Sequence, residues 1–154
     1  MAAPSPNSPL GDLVAAAEGG DPSVALAAAK RGYAAFLRDE MSLDDPAVDP
    51  NVEWIPPKHA PTAGAYRGAA EAEEEVLAWR EPFDDFRWEP KEMLLGEGCF
   101  VVVGKMGGRG RTSGLEVEAE ESHVWTLRDG RIVRMQMFLD HGEALAAAGL
   151  TPDG

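Results

Sequence analysis

The 154-residue sequence has one cysteine, three histidines, few basic residues and no long apolar run. Each shortage excludes something. Cys99 alone cannot form an internal disulfide, and His59, His123 and His141 lack metal-ligand spacing, so a reducing compartment and no metal are expected. Only 14 Lys and Arg stand against 27 Asp and Glu, a net charge of -13 that repels nucleic-acid phosphates and anionic bilayers. No stretch approaches the roughly 18 apolar residues of a membrane span, and the N-terminus lacks the basic region of a secretory signal. Nucleic acid and membrane are therefore not expected as partners, and a cytoplasmic location is. The glycine-rich "GKMGGRGRTSG" has neither phosphate-loop spacing nor a following helix, so it reads as a long hairpin loop with solvated Arg109 and Arg111. No cofactor is implied.

What remains is enough chain for one domain with a real core. Residues 1–20, rich in Pro, Ser, Gly and Ala, read as a flexible leader in which "LVAAAE" could form a short helix; residues 21–150 read as the domain, and 151–154 as a tail. Asp21 can cap a helix with Pro22 at its first position, running to about Arg38 and turning Ala29, Tyr33, Phe36 and Leu37 inward. "SLDDPAVDPNVEWIPP" suggests a short capped helix from Ser42, then a strand around 52–55. "YRGAAEAEEEVLAWREPF" reads as a second helix with Ala72, Val76, Trp79 and Phe83 on one side and Glu71, Glu74 and Glu75 on a solvated face. Four successive strands follow in "FRWEPKEMLL", "CFVVVGKM", "LEVEAEESHVWTLR" and "RIVRMQMFLD", hence antiparallel neighbours. Asp140 is placed to cap a last helix that Gly149 ends. The pattern is α+β, with helices covering one face of the sheet.

The last hairpin holds the chemistry. A two-residue Asp129-Gly130 turn would pair Arg128 with Arg131 and mix apolar and charged positions on both faces. A three-residue turn pairs Leu127 with Arg131, Trp125 with Val133, His123 with Met135 and Glu121 with Met137. That register gathers Val117, Ala119, Glu121, His123, Trp125, Val133, Met135, Met137 and Leu139 on the inner face. The outer face then carries Glu116, Glu118, Glu120, Ser122, Val124, Ile132, Arg134, Gln136 and Phe138. A histidine in an apolar pocket can move a proton near neutral pH, and a carboxylate two residues away points to the same side and can orient it. The alternative is a histidine that only hydrogen-bonds inside the core, with Glu121 reaching a rim or a partner.

"NVEW" on the first strand, "YRG" before the second helix, "RGRTSG" between strands, "VWTLRDGRIVRM" and a terminal "LDHGEALAAAGL" follow one another as in a known family. From Ser23 to Leu150 the chain resembles the SnoaL-like members of the nuclear transport factor-like superfamily. The resemblance implies an α+β cone, often dimeric, whose curved, mainly antiparallel sheet wraps around N-terminal helices and encloses an apolar pocket. Polyketide cyclases, ketosteroid isomerase, limonene epoxide hydrolase and scytalone dehydratase belong to that superfamily. The isomerase base falls at Trp54, and the acid of the epoxide hydrolase and several cyclases falls at Met137; neither side chain transfers a proton. His123 survives the comparison.

The resemblance and the residues together imply His123 and Glu121 as catalytic candidates. Tyr33, Trp54, Tyr66, Trp79, Phe83, Val117, Ala119, Trp125, Met135, Met137 and Leu139 are the expected ligand-binding wall, and Tyr33 or Tyr66 could supply a second proton donor. The expected function is binding of a small, mostly apolar molecule, with cofactor-independent cyclase, isomerase or dehydratase chemistry through His123. The alternative is a non-catalytic ligand-binding or assembly domain. A homodimer is expected through the outer face, where Val124, Ile132 and Phe138 form an apolar centre.

Overall fold

The computed structural model describes residues 8–40, 42–58 and 64–150. The first seven leader residues, the 151–154 tail and the loop containing His59 lie outside them. The element order is α1 (Pro9–Glu18), α2 (Pro22–Leu37), β1 (Val48–Ile55), β2 (Tyr66–Arg67), α3 (Ala69–Arg80), β3 (Phe83–Gly96), β4 (Cys99–Gly110), β5 (Glu116–Arg128), β6 (Arg131–Phe138) and α4 (His141–Ala147). The strands form one sheet in the order β2-β1-β6-β5-β4-β3. Every neighbouring pair is antiparallel except β1 with β6.

Helix α2 starts where the sequence marks it. Asp21 accepts from the backbone N–H groups of Ser23 and Val24 at 3.0 and 3.4 Å, and Pro22 sits in the first turn, where a missing N–H costs nothing. Its buried side is Ala25, Ala28, Ala29, Gly32 and Ala35, small residues that let it lie close to α1 and β3. At the other end of the chain the Asp140 carboxylate accepts from the Glu143 N–H at 2.9 Å, and Gly149 takes the left-handed conformation just past α4.

The leader is not loose throughout. Residues 9–18 form α1, capped by Ser8, whose Oγ accepts from the Gly11 N–H at 2.9 Å. Leu10, Leu13 and Val14, at helical spacing, are buried in the main core, and this anchoring overturns the flexible-leader reading for the helix. Residues 42–47 are bends and turns rather than a helix. Asp45 accepts from the Ala47 N–H at 2.8 Å, a local bond that competes with helical pairing. Helix α3 is shorter than expected, because Tyr66 pairs with Trp54 in the sheet and Phe83 opens β3. Glu75 is not on the solvated face: it is 2% exposed, since residues three and four apart share a side and Ala72 and Trp79 are its neighbours there. Four residues of the expected glycine-rich loop, Gly107 to Gly110, belong to β4.

The last hairpin takes the turn that had looked unfavourable. Asp129 and Gly130 both have positive φ, 54° and 76°, as a two-residue mirror-image turn requires, and Arg128 pairs with Arg131. A bulge then skips Val133, so that Thr126 meets Arg134, Trp125 meets Met135 and His123 meets Met137. The three-residue register is thus wrong, yet His123, Trp125, Met135 and Met137 still share the inner face. Ile132, expected outside, is buried in the main core, while Val133 is only partly buried.

The inner sheet face and the helices enclose the main core, which includes Trp54, Trp88, Phe100, Trp125, Met135 and Met137. On the outer face Val101, Val103 and Val124 pack with Ala144 of α4, and Phe138, Ala148 and Leu150 border them. The apolar centre of that face is therefore partly covered from within the chain. Among the described residues no helix is long and apolar enough to cross a membrane.

Candidate functional site

Strand alternation sends Glu121, His123 and Trp125 of β5 under the helices. Glu121 is 1% exposed and His123 3%. The His123 Nε2 lies 3.0 Å from a Glu121 carboxylate oxygen and 3.1 Å from the Trp88 indole nitrogen. Its Nδ1 lies 2.8 Å from the Tyr33 hydroxyl, which in turn accepts from the Trp125 indole N–H at 3.0 Å. One proton arrangement satisfies a continuous chain: Trp125 N–H donates to Tyr33, the Tyr33 hydroxyl donates to Nδ1, and Nε2–H donates to Glu121. Moving the proton to Nδ1 frees the Nε2 lone pair for the Trp88 N–H instead. Nε2 thus faces an acceptor and a donor and serves one at a time.

Tyr33 enters from α2, one turn past Ala29 on the same side, and stacks on Trp88 with ring centroids 4.9 Å apart. Part of the residue reaches the surface, but its hydroxyl is enclosed between His123 and Trp125. Burial pushes the phenol's pKa well above its ordinary 10.0; the bond from Trp125 opposes the rise and the nearby Glu121 charge adds to it. Tyr33 therefore stays a neutral phenol that can donate. Trp88 comes from β3 and fits only because residue 104 of β4 is glycine: a methyl group there would overlap the Trp88 ring and the Glu89 carbonyl.

This network borders a cavity of about 60 Å³ between α1, α2, α3 and the sheet. Of the expected residues, Tyr33, Trp54, Trp79, His123, Trp125, Met135 and Met137 line it. Glu121 does not; it stands behind His123. Phe83 lies in an outer groove with Leu77, Phe86 and Arg111, because it belongs to a strand end rather than to α3. Tyr66 is on the edge strand β2 and outside the lining. Val117 is 37% exposed and Ala119 only partly buried, since the first half of β5 runs beyond the helical cover; Leu139 is 56% exposed beside α4. These five expectations are corrected.

The sequence reading missed Trp88, Phe86, Leu10, Leu13 and Leu43 as cavity walls. Phe86 and Trp88 alternate in "FRWEP" and Leu10 and Leu13 keep helical spacing, so the signals were present. Arg80 and Phe86 line both the cavity and the outer groove of Phe83, while Met137 separates the cavity from a second groove around Pro56, Phe138 and Asp140. Among the described residues no three His, Cys, Asp or Glu side chains converge as metal ligands would.

Residues 29–135 match the model of the SnoaL-like domain family. An NTF2-like protein of unknown function from Burkholderia pseudomallei is 20% identical, with TM-score 0.62 over 92% of this chain and 98% of that one. TerC, crystallised with polyporic acid, is 22% identical, with TM-score 0.56 over 92% and 98%. A protein of ketosteroid isomerase-like fold from Catenulispora acidiphila, in complex with trimethylamine, is 11% identical, with TM-score 0.55 over 96% and 97%. At these identities the likeness establishes the fold. A search among curated proteins found no match.

Proposed function

The chain belongs to the SnoaL-like domain family, and from that premise we propose that it binds a small, mostly apolar molecule in the cavity beneath α1 and α2. One observation carries the reading. The cavity is walled by aromatic and aliphatic side chains, and the polar groups of Tyr33, Trp88, His123 and Trp125 at its border are already bonded to one another. That two structural neighbours hold a small molecule supports it. As it stands, the space of about 60 Å³ suits only a few heavy atoms. Met135 and Met137 are unbranched and adaptable, so larger rings require their displacement.

A second reading is favoured by the buried Glu121–His123–Tyr33 chain. In it His123 acts as the acid or base of a cofactor-independent cyclase, isomerase or dehydratase, oriented by Glu121. A substrate atom would first have to replace Tyr33 or Trp88 at the ring, because both ring nitrogens are bonded to protein groups. Binding without turnover accordingly fits the geometry better. A homodimer would pair through the outer face beside α4, and sedimentation showing only monomer at micromolar concentration removes it.

All four tryptophans border the cavity, so their fluorescence reports occupancy. Titration with aromatic quinones, cyclic ketones, terpenoid epoxides and small amines should give saturable quenching by one class. No response from any class removes the binding reading. Chemical conversion of a bound compound by the wild type but not by His123→Ala would replace it with the second.

A further inference from the structure

We infer that the outer groove beside Phe83 is the entrance to the cavity and that the Arg80–Asp39 ion pair is the latch across it. The inference rests on the ligand-binding reading and adds the route an occupant takes. Burial of the wall shows where it is thin. Tyr33, Phe36 and Leu37 in the last turns of α2, Trp79 and Arg80 at the end of α3, and Phe86 near the start of β3 are only partly buried, whereas every other described residue lining the cavity is buried. Three of these six, Leu37, Arg80 and Phe86, also line the groove with Leu77, Phe83 and Arg111, so a single layer of side chains divides the two spaces. The groove around Pro56 is a poorer route. Among the described residues it shares only Met137 with the cavity, and Met137 is 5% exposed on β6, a strand flanked by β1 and β5 within the sheet.

Arg80 closes the thin layer. The cavity presents no polar surface, so it is the aliphatic stem of Arg80 that walls it. The guanidinium Nη2 donates to the Asp39 carboxylate at 3.1 Å, which ties the end of α3 to the chain just past α2. The Arg80 side chain is 20% exposed and that of Asp39 75%, so water competes for the carboxylate and the pair holds weakly. Phe86 stands beside it, with its ring 5.2 Å from Trp79 of the cavity wall and 6.0 Å from Phe83 of the groove. When Arg80 parts from Asp39, its stem can leave the wall and the layer opens beside Phe86. The pair forms whether the cavity is full or empty. Breaking it therefore speeds entrance and release alike and leaves affinity unchanged.

The probe is xenon, an atom little wider than a methyl group and able to occupy an apolar space of about 60 Å³. Xenon NMR with saturation transfer reads its release rate and its affinity. Asp39→Gly removes the carboxylate at a φ of 58°, which glycine adopts freely. It should speed xenon release about two- to fivefold, what a partly exposed ion pair carries in a rate, and change affinity by less than about twofold. Arg80→Met keeps an unbranched stem against the wall and should act alike. Raising salt to about 1 M should speed release from the wild type but not from Asp39→Gly. Lys58→Ala is the control: it breaks the exposed Lys58–Glu143 pair, 3.0 Å long, in the groove around Pro56 and should leave release unchanged. Acceleration by Lys58→Ala alone would put the entrance at Met137 and overturn the inference. Equal acceleration by Lys58→Ala and Asp39→Gly, or unchanged release in Asp39→Gly and in the wild type at high salt, overturns it too. Each of these results leaves the ligand-binding reading intact. Failure of xenon to bind the wild type removes that reading and this inference together.

Discussion

Substituting alanine for Gly104 should destabilise the protein, although alanine is normally the better strand residue. Removing a strand glycine gains about 0.5–1 kcal/mol from backbone entropy. Against that, the new methyl group would occupy the position of the Trp88 ring and press on the Glu89 carbonyl. The ring cannot move aside freely, because it stacks on Tyr33 at 4.9 Å and donates to His123 at 3.1 Å. Overpacking costs about 1–3 kcal/mol, and losing the Trp88–His123 bond about 1 kcal/mol more. The net loss is about 1–3.5 kcal/mol, or a fall in Tm of about 2–14 °C for a chain of this size. Gly107 on the same strand is the control, since an added methyl there meets only the Arg87 guanidinium, the far end of a flexible side chain. Gly107→Ala should leave Tm unchanged or raise it. Calorimetry with near-ultraviolet circular dichroism reads both stability and tryptophan packing. Equal Tm for Gly104→Ala and wild type, or equal losses in the two variants, would refute the packing account of Trp88.

Glu121→Ala leaves a buried histidine nitrogen without its carboxylate and should cost about 2–5 kcal/mol in urea denaturation, whereas Glu121→Gln keeps an acceptor and should cost less than half as much. Burial raises the folded Tyr33 pKa, so as pH climbs past the ordinary 10.0 the unfolded chain loses the phenol proton first. The stability present below that pH is then lost at up to about 1.4 kcal/mol per unit. Urea midpoints between pH 8 and 11 should fall less steeply in Tyr33→Phe than in wild type; parallel slopes contradict the enclosed hydroxyl. Leu13→Ala should cost about 2–5 kcal/mol, as a core leucine does. A loss under 0.5 kcal/mol would mean that α1 contributes little to the fold.

Local signals were legible where one residue type has one physical use. The Asp21-Pro22 start of α2, the Asp140 cap and the alternation around His123 needed no partner to be read. Residues whose state depends on distant chain were not legible. Leu10 and Leu13 had helical spacing inside a composition typical of loose chain, and only α2 makes a core of them. Glu75 sat in a run of glutamates whose outward members concealed an inward one. Phe83 continued a helical period that the chain abandons for β3, and Val117 alternated correctly on a strand that outruns its cover. Trp88 alternated with Phe86 on its strand, which signals its face, but its room in the site depends on a missing side chain at Gly104, across the β3–β4 pairing, which alternation does not show.

The hairpin shows why an incorrect register can still lead to the correct face. Side chains alternate, so a one-residue shift in pairing would turn His123 outward relative to Met135 and Met137. The two-residue turn makes that shift near its tip, and the bulge at Val133 adds a second in the same direction within three residues, so the two together restore the face while His123 meets Met137 instead of Met135. What selects the combination is the remainder of the chain. With the bulge, Ile132 enters the main core and His123 meets Glu121, Tyr33 and Trp88 from one strand, one helix and another strand. Without it, a carboxylate and an imidazole would be buried or exposed out of step with their partners, and unpaired buried charge is among the costliest errors a core can contain. The polar network thus fixes the hairpin's register as much as the hairpin positions the network.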